Sequence, residues 1–289
     1  MTLDDRLWKQ FNKALGQYQL IDEDDRILVG LSGGKDSLLL LEFLARRSRI
    51  LKPRFSVEAL HVRMEFATPH SAPEAENIHY ETDTAYLQRF CDQLGIPLHI
   101  VTTRFDSAPI SSVSTMSAPT SAMSAPIASA SAMSTPISSP VQYTEASPRS
   151  SKPKPPCFLC SWQRRKQLFN IAQQHGCTKI ALGHHQDDII HTALMNLTFQ
   201  GRFSTMPAKL RMRKMPLTII RPLCLCQEAD IRAYAEAHHY EKQLKRCPYE
   251  NDTNRATARE LLSYMERHNP EARYSIWNAL ETEEKLLEY

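Results

Sequence analysis

An apolar run of strand length breaks into Ser-Gly-Gly-Lys-Asp-Ser and continues at once as an apolar helix in residues 26–47, RILVGLSGGKDSLLLLEFLARR. Residues 27–31 have the length and β-branched content of a buried strand, and residues 38–44 continue as a helix that is apolar nearly all round. Gly33 and Gly34 between them permit backbone conformations that other residues avoid. Because unpaired N–H groups and the helix dipole point at one spot, the segment predicts an anion site.

This turn differs from the common nucleotide loop, which needs a glycine, four residues and then Gly-Lys-Ser/Thr. Here the glycines are adjacent, and Asp36 follows Lys35. A shorter loop wraps fewer oxygens, which suits a released pyrophosphate better than a transferred γ-phosphoryl group. Asp36 cannot hold phosphate by its own charge, but it can hold Mg²⁺ that in turn holds phosphate.

At this stretch the sequence resembles the PP-loop family of ATP pyrophosphatases, whose signature is Ser-Gly-Gly-x-Asp-Ser. Members of that family cleave ATP between the α- and β-phosphates to adenylate a substrate. The resemblance implies that Lys35 and Asp36 act in catalysis. It also implies ATP binding by the loop residues Leu31, Ser32, Gly33, Gly34, Lys35, Asp36 and Ser37.

Strands and helices alternate along the chain. We expect strands near residues 27–31, 55–62, 98–102, 179–182 and 217–220, and helices near residues 3–18, 38–44, 83–94, 161–174, 187–199, 227–238 and 254–268. The alternation predicts an α/β fold with a parallel twisted sheet and helices on both faces. The resemblance implies the adenine nucleotide alpha hydrolase-like form of that fold, with a short helical C-terminal extension.

Ligands of such sheets lie beyond the carboxyl ends of the strands. The glycine loop, residues 61–64 and residues 183–188 all fall at that edge, so we expect them to meet at one site. The predicted ATP-binding residues therefore also include His61, Gly183, His184 and Asp188.

The chain divides into three predicted parts. Residues 1–25 carry an N-terminal amphipathic helix, residues 26–222 form the PP-loop ATP-binding domain, and residues 223–289 form a helical C-terminal region. Residues 107–156 interrupt the domain with a degenerate repeat of Ser, Ala, Pro and Met. That composition cannot bury enough apolar surface to offset its ordering entropy, so we expect a disordered insertion.

Bulk composition excludes several classes of protein. No stretch of the 289 residues reaches the length of a transmembrane helix, and the acidic, amphipathic N-terminus is not a signal peptide. We therefore expect a cytoplasmic protein with no membrane partner. Seven cysteines in such a chain are not expected to form disulfides, so any cluster of them indicates metal or redox chemistry.

Cys157 and Cys160, in PPCFLCSWQRRK, stand at the mouth of a predicted helix. This spacing lets two thiolates reach one metal, and a helix N-terminus lowers the pKa of a thiol. Zinc, an iron–sulfur cluster, a redox pair and two unrelated cysteines all remain open on spacing alone. Of the others, Cys91 and Cys177 read as small buried hydrophobes, whereas Cys224, Cys226 and Cys247 follow strands or lie on loops.

Four segments, CFLCSWQRRK, KIALGHHQDD, GRFSTMPAKL and IIRPL, follow one another in this order. They resemble the tRNA 2-thiocytidine synthetases, the TtcA-type branch of the PP-loop family, over most of residues 20–260 apart from the insertion. The resemblance implies a [4Fe-4S] cluster held by Cys157, Cys160 and Cys247, with one iron left open. Cys226 is the alternative third ligand, because its Leu-x-Cys setting is also typical of clusters.

The sequence departs from that branch after the paired histidines. Relatives commonly read Asp-Asp-x-x-Glu-Thr, whereas this chain has His191 in place of the glutamate. The remaining candidates for Mg²⁺ are Asp36, Asp187 and Asp188. His185, Asp188 and His191 can also share a helix face and bind zinc, although three ligands on one helix rarely converge without a fourth. A nucleotide-facing or structural role for His184 and His185, with Asp188 capping the helix, is the favoured hypothesis.

Basic residues cluster in three segments, which favours contact with a phosphate backbone. The predicted tRNA-binding residues are Arg164, Arg165, Lys209, Arg211 and Arg213. Together with the resemblance, these features predict an ATP-dependent tRNA sulfurtransferase that uses ATP, Mg²⁺ and a [4Fe-4S] cluster, with cytidine in the anticodon loop as the target. Its partners would be tRNA and a sulfur donor such as a cysteine desulfurase, and a homodimer is left open. The alternatives are a tRNA-lysidine-type amine ligase, which would have no use for the cysteines, and a non-catalytic sulfur-relay adaptor.

Overall fold

A computed structural model describes residues 1–66, 83–105, 156–242 and 253–288, with only the backbone described at residues 65, 66, 104, 105, 156–159 and 253. The helices are α1 (Leu3–Gln17), α2 (Lys35–Ser48), α3 (Thr84–Leu94), α4 (Pro156–Gln174), α5 (Gln186–Gln200), α6 (Glu228–Ala237), α7 (Thr253–His268) and α8 (Ala272–Thr282). The strands are β1 (Asp25–Gly30), β2 (Phe55–Phe66), β3 (Leu98–Phe105), β4 (Lys179–Ala181), β5 (Lys209–Arg211), β6 (Thr218–Ile220) and β7 (Leu287–Glu288). Apart from Pro156, the predicted disordered insertion lies outside the described residues.

The seven described strands form one sheet in the order β3-β2-β1-β4-β6-β5-β7. The first five of these run parallel, which confirms the predicted α/β fold with a parallel sheet. β5 runs antiparallel to β6, and β7 pairs with β5. Neither β5 nor β7 was predicted, because strands of three and two residues with charges at their ends carry no apolar run for the sequence to show.

The predicted helices are present with shifts at their ends. α2 begins at Lys35 rather than near residue 38, because Gly34 is its N-cap and Asp36 complements the helix dipole in the first turn. α8 was not predicted, although Trp277 and Leu280 are buried on its inner face. Among the helices in the described ranges, none is both long enough and apolar enough to span a bilayer.

An aromatic cluster fixes α1 on the core of the sheet domain. The ring of Phe11 lies 5.4 Å from that of Phe43 in α2, and Phe43 lies 5.6 Å from Tyr234 in α6. Leu7, Phe11 and Ala14 are fully buried in this contact. α1 is therefore part of the same core as α2 and α6. Burying each of its large apolar side chains stabilises the fold by about 1.5–3 kcal/mol.

Parallel strands give the sheet two distinct edges, here named the carboxyl edge and the amino edge after the strand ends that lie there. α4 packs on β2, β3 and β4 and leads through Gly176 into the amino end of β4. It therefore runs opposite to the strands, and its first turn lies toward the carboxyl edge. This topology brings Cys157 and Cys160 toward the same edge as the glycine loop.

Candidate functional site

The glycine loop is closed by its own serines. Ser37 Oγ donates to the Gly34 carbonyl at 2.9 Å and lies 3.1 Å from Ser32 Oγ, while the Gly34 N–H donates to Ser32 Oγ at 3.3 Å. Gly33 has a φ of 81°, the left-handed region that glycine adopts without strain. The two hydroxyls thus hold the loop in a tight turn, with the N-terminus of α2 directed at the space above it.

The predicted meeting of three segments at the carboxyl edge is confirmed. His61, buried in β2, has Nδ1 2.8 Å from the Leu31 carbonyl. Gly183 follows β4 and presses on the backbone of Asp36 and Ser37, where an added Cβ would lie 3.0 Å from the Asp36 carbonyl oxygen. The loop, the middle of β2 and the end of β4 therefore form one wall.

The contact at Gly183 predicts a strong effect of a single methyl group. In Gly183→Ala, the Cβ would meet backbone atoms of Asp36 at 3.0 Å and of Ser37 at 3.1 Å, so the loop must shift. We expect a loss of about 1–3 kcal/mol in the free energy of unfolding, measured with urea, and weaker ATP binding.

Gly16→Ala is the matched control for this change. Gly16 lies in α1 with nothing within 4 Å of an added Cβ. Since alanine favours a helix over glycine by about 1 kcal/mol, this variant should be unchanged or more stable. Equal stability of Gly183→Ala and the parent chain would contradict the close approach.

Three carboxylates surround the ring of His185. Nε2 lies 3.4 Å from Asp188 Oδ2 and 3.9 Å from Asp36 Oδ1, and Nδ1 lies 3.5 Å from Asp187 Oδ2. Burial alone would lower the pKa of His185, but the three carboxylates outweigh burial and raise it. The site therefore concentrates acidic groups beside the loop, an arrangement that favours a cation.

Asp188 caps α5, as predicted: its Oδ2 accepts the His185 N–H at 3.2 Å. Within the described side chains, His185, Asp188 and His191 do not form a converging set of metal ligands. The alternative of zinc on this helix therefore has no support. His191 is buried, and burial lowers its pKa.

Asp187 is a structural residue in this arrangement. Its Oδ1 accepts from Arg273 Nη1 at 2.8 Å, and its Oδ2 accepts from the Glu228 N–H at 2.7 Å. Burial would raise the pKa of Asp187, yet the neighbouring donors hold it far below its usual range. Because both oxygens are already bonded, this carboxylate fits a magnesium ligand poorly. The sequence showed no sign of Arg273 at the site, since it comes from α8.

Asp36 fits Mg²⁺ better. Its buried Oδ1 accepts no well-aligned hydrogen bond among the described residues, although Lys35 Nζ lies 3.0 Å away. Lys35 Nζ is also 3.5 Å from Glu228 Oε1, a second acidic partner that the sequence did not reveal. Lys35 and Asp36 thus lie together at the mouth of the loop, each partly exposed.

Arg221 contacts the first of the paired histidines, His184. Its Nε donates to His184 Nδ1 at 3.3 Å, and its Nη1 donates to the Pro207 carbonyl. Burial, followed by the charge of Arg221, lowers the pKa of His184 to about 4. Arg221 lies in the segment IIRPL, one of the four segments that resemble the TtcA-type branch, but the sequence predicted no role for this arginine.

Because His184 is held neutral, we expect part of the folding stability to be lost in mild acid. The unfolded chain takes up this proton near the ordinary pKa of 6.5, and the folded chain only near pH 4. The part of the free energy of unfolding that depends on neutral His184 is therefore fully present above pH 6.5, and it declines as the pH falls toward 4. Urea unfolding at about pH 7 and about pH 5 should show a smaller loss in His184→Gln than in the parent chain.

The control for that measurement is His268→Gln, at an exposed position in α7. It should lose as much stability between the two pH values as the parent chain. His61 and His191, whose pKa values burial also lowers, contribute in the same direction in all three proteins. A loss in His184→Gln that equals the loss in the parent would contradict the assignment.

The cysteines fall into two groups. Cys160 is half-buried in the second turn of α4, whereas the Cys157 side chain and Cys247 lie outside the described residues. Cys226 is fully buried in the main core, and burial raises the pKa of its thiol to about 12. Burial likewise raises the pKa of Cys224, Cys91 and Cys177.

The predicted tRNA-binding residues separate to opposite edges of the sheet. Burial lowers the pKa of His61, and Arg164, on α4, is close enough for its charge to lower that pKa further. The next residue, Arg165, is exposed. In contrast, β5 pairs Arg211 with Thr218 at the start of β6, so Arg211 and Arg213 flank a hairpin at the amino edge. That hairpin lines a cavity of about 590 Å³.

The side chain of Lys209 also makes its contacts at the amino edge. Its Nζ donates to the Gln19 carbonyl at 2.5 Å, near the ion pair of Lys179 with Asp25 at 2.6 Å. Burial, then the charge of Lys179, lowers the pKa of Lys209. This position does not support the predicted contact of Lys209 with RNA.

Comparisons with known proteins agree with this architecture. The profile of the PP-loop domain family matches residues 3–120 and 162–264. The tRNA-cytidine(32) 2-sulfurtransferase of Shewanella denitrificans is 30% identical over 96% of this chain and 71% of its own length. The protein of the same name from Pseudomonas syringae pv. tomato is 31% identical over 96% of this chain and 84% of its own length.

Among solved structures, the chain is similar to the U34-tRNA thiolase NcsA from Methanococcus maripaludis, solved with its [4Fe-4S] cluster. The TM-score is 0.64 and the identity 20%, over 99% of this chain and 80% of that chain, which shows a shared fold. The glycine loop, the family profile and the relatives at 30% and 31% identity over nearly the whole chain lead to one assignment. The chain belongs to the PP-loop family, in the branch of the tRNA-cytidine(32) 2-sulfurtransferases.

Proposed function

We propose that this chain is an ATP-dependent tRNA sulfurtransferase that replaces the C2 oxygen of a cytidine with sulfur. The observation that carries the proposal is the position of α4. Its first turns, with Cys157 and Cys160, lie toward the same edge of the sheet as the pyrophosphate loop. The relatives act on cytidine 32 of tRNA by name, which makes that nucleotide the proposed target.

The loop performs the first half of the proposed reaction. The C2 oxygen of the pyrimidine attacks the α-phosphorus of ATP, the bond from that phosphorus to the bridging oxygen breaks, and pyrophosphate leaves. Main-chain N–H groups at the start of α2 and the Lys35 ammonium are placed to neutralise the leaving charge. To do so, Lys35 must exchange its contact with Glu228 for a phosphate oxygen.

Asp36 is the proposed ligand of Mg²⁺, because its Oδ1 lacks a well-aligned partner among the described residues. Asp188 contributes charge beside it while capping α5. Asp187, predicted as a second magnesium ligand, is more consistent with holding α6 and α8 in place. The other predicted nucleotide contacts, His61, Gly183 and His184, surround the loop and are proposed to shape the pocket.

The second half of the reaction rests on the cysteines. The donor chemistry fits an iron–sulfur cluster, since a Cys-x-x-Cys pair in the first turns of a helix gives two thiolates to one metal group. The chemistry that such a cluster supplies when bound is delivery of sulfur to C2, with AMP as the leaving group. Cys157, Cys160 and Cys247 are the proposed ligands.

Burial favours one of the two candidates for the third ligand. A thiol must lose its proton to bind iron, and the apolar core around Cys226 raises its pKa to about 12. Cys226 also lies fully buried in the main core, among residues that pack α5 and α6 on the sheet. These contacts favour Cys247 over Cys226. A cysteine desulfurase-type sulfur donor is proposed as well, and a homodimer stays a prediction.

The direct test is nucleoside analysis. The anaerobically reconstituted protein is incubated with unthiolated tRNA, ATP, Mg²⁺ and sulfide, and the digested tRNA is analysed by mass spectrometry. We expect 2-thiocytidine and one AMP per sulfur incorporated. In a parallel mixture with free lysine in place of sulfide, formation of AMP with a lysine-substituted cytidine would indicate a lysidine-type ligase. A brown protein that forms neither product would contradict the proposal.

The basic residues give a test of where tRNA binds. We expect Arg165→Ala to reduce the slope of log affinity against log salt by about 1, because α4 lies beside the site. Arg213→Ala, at the amino edge, is the matched control and should leave the slope unchanged. The reverse result would place tRNA on the hairpin instead.

A further inference from the structure

Two histidines and a glutamate converge near the amino ends of β2 and β3 and the carboxyl end of α4, and none of them belongs to the nucleotide loop. Glu58 lies in β2, His99 in β3 and His175 directly after α4. Glu58 Oε2 is 2.9 Å from His99 Nε2 and 2.8 Å from His175 Nδ1. One atom from each residue lies within 4.8 Å of the others, and no second group of this kind occurs among the described side chains.

We propose that Glu58, His99 and His175 form a binding site for a single divalent cation of the zinc type. Two imidazole nitrogens and one carboxylate oxygen are ligands that zinc prefers, with a water molecule as the fourth. In a tetrahedral zinc site the ligand atoms lie about 3.3 Å apart, so Glu58 Oε2 needs to move only about half an ångström further from each histidine nitrogen.

Geometry distinguishes this group from an ordinary surface ion pair. The imidazole rings lie 4.3 Å apart at 78°, so both present a nitrogen to the same oxygen from different directions. Each histidine is 31% exposed, which leaves an entry path for the ion, while Glu58 is only 16% exposed. Three ligands from three separate elements also avoid the crowding of ligands on one helix.

Arg26 completes the surroundings of the site. Its Nη2 lies 3.2 Å from Glu58 Oε1, which leaves Oε2 for the two histidines. Such a partner orients a ligating carboxylate, but its positive charge opposes the cation. A bound ion would join the end of α4 to β2 and β3, and α4 is the helix that carries Cys157 and Cys160. The ion would therefore stabilise the cysteine helix on the sheet from its far end.

The test is zinc binding to the full chain in which Cys157, Cys160 and Cys247 are replaced by serine, so that these thiolates do not compete. Equilibrium dialysis with Zn²⁺ should give one tight zinc ion per chain. His99→Gln and His175→Gln should each weaken binding at least tenfold and remove the rise in melting temperature that zinc causes in the parent chain. His238→Gln, at the exposed C-cap residue of α6, is the control and should bind zinc as the parent does.

A second variant keeps all three ligands. Arg26→Gln removes the opposing charge while keeping a polar side chain, so zinc should bind several-fold more tightly. No tight ion in the parent chain, or equal binding by His175→Gln and the parent, would overturn the site. Unchanged affinity in Arg26→Gln would also contradict it, even if the histidine variants failed to fold.

Discussion

Cys157→Ala should form no thiolated nucleoside while it still adenylates tRNA. α4 runs from the carboxyl edge to the amino edge, so its first turn, with Cys157, lies toward the loop. The residues proposed for adenylation belong to other elements, so losing Cys157 should not affect them directly. Losing one thiolate of three leaves the cluster without a stable attachment. We expect loss of the brown colour and of all thiolation, with pyrophosphate release from ATP retained within a few-fold of the parent rate.

The control is Cys91→Ala. Cys91 is fully buried in α3, and burial raises the pKa of its thiol to about 11, so it acts as a small core residue. This variant should lose some stability and keep its thiolation activity. Cys247→Ala should behave as Cys157→Ala does, and Cys226→Ala should keep its colour. Thiolation by Cys157→Ala at the parent rate would refute the proposed ligand set.

Lys35→Met should reduce the rate of adenylation by about 10²–10³. The side chain is the cation at the mouth of the loop, with its Nζ 3.0 Å from Asp36 and 3.5 Å from Glu228. Methionine keeps the apolar stem but removes the charge that offsets the leaving pyrophosphate. It also leaves the two acidic neighbours to repel ATP. Single-turnover measurement of pyrophosphate release with saturating tRNA checks the prediction.

Lys13→Met provides the comparison, since Lys13 is exposed on α1 and takes no part in the site. Its rate should equal that of the parent chain. Lys35→Arg keeps the charge but has a planar, bulkier head, so we expect it to recover only part of the rate. A Lys35→Met rate within a few-fold of the parent would show that the main-chain N–H groups suffice without the lysine.

Local pattern determined much of the fold. The strand, the adjacent glycines and the helix at residues 26–47 predicted both the loop and its place at a carboxyl edge, because each feature depends on neighbours in sequence. Asp188 was predicted to cap α5 for the same reason. The antiparallel β5 escaped prediction, since its three residues are a strand only through their pairing with β6.

The site shows the same division. Sequence named Lys35, Asp36 and Asp187 as acting residues, but not their partners Glu228 and Arg273, which come from distant helices. It also assigned both Arg164 and Arg213 to tRNA binding, whereas α4 carries Arg164 close to His61 and the antiparallel β5 carries Arg213 to the amino edge. The number of charged residues can be read from the sequence, but the edge of the sheet at which each one lies depends on which way its helix or strand runs.

The amino-acid sequence by itself determined the phosphate loop, the alternation of strands and helices and the Cys-x-x-Cys spacing that lets two thiolates reach one metal group. Backbone conformation, hydrophobic periodicity and ligand spacing are all properties of residues a few positions apart. Only the tertiary structure decided that Asp187 bonds Arg273, that Cys226 lies sealed in the core, and that Glu58 meets two histidines. Those outcomes depend on contacts between residues far apart in the chain, whose distances no local pattern fixes.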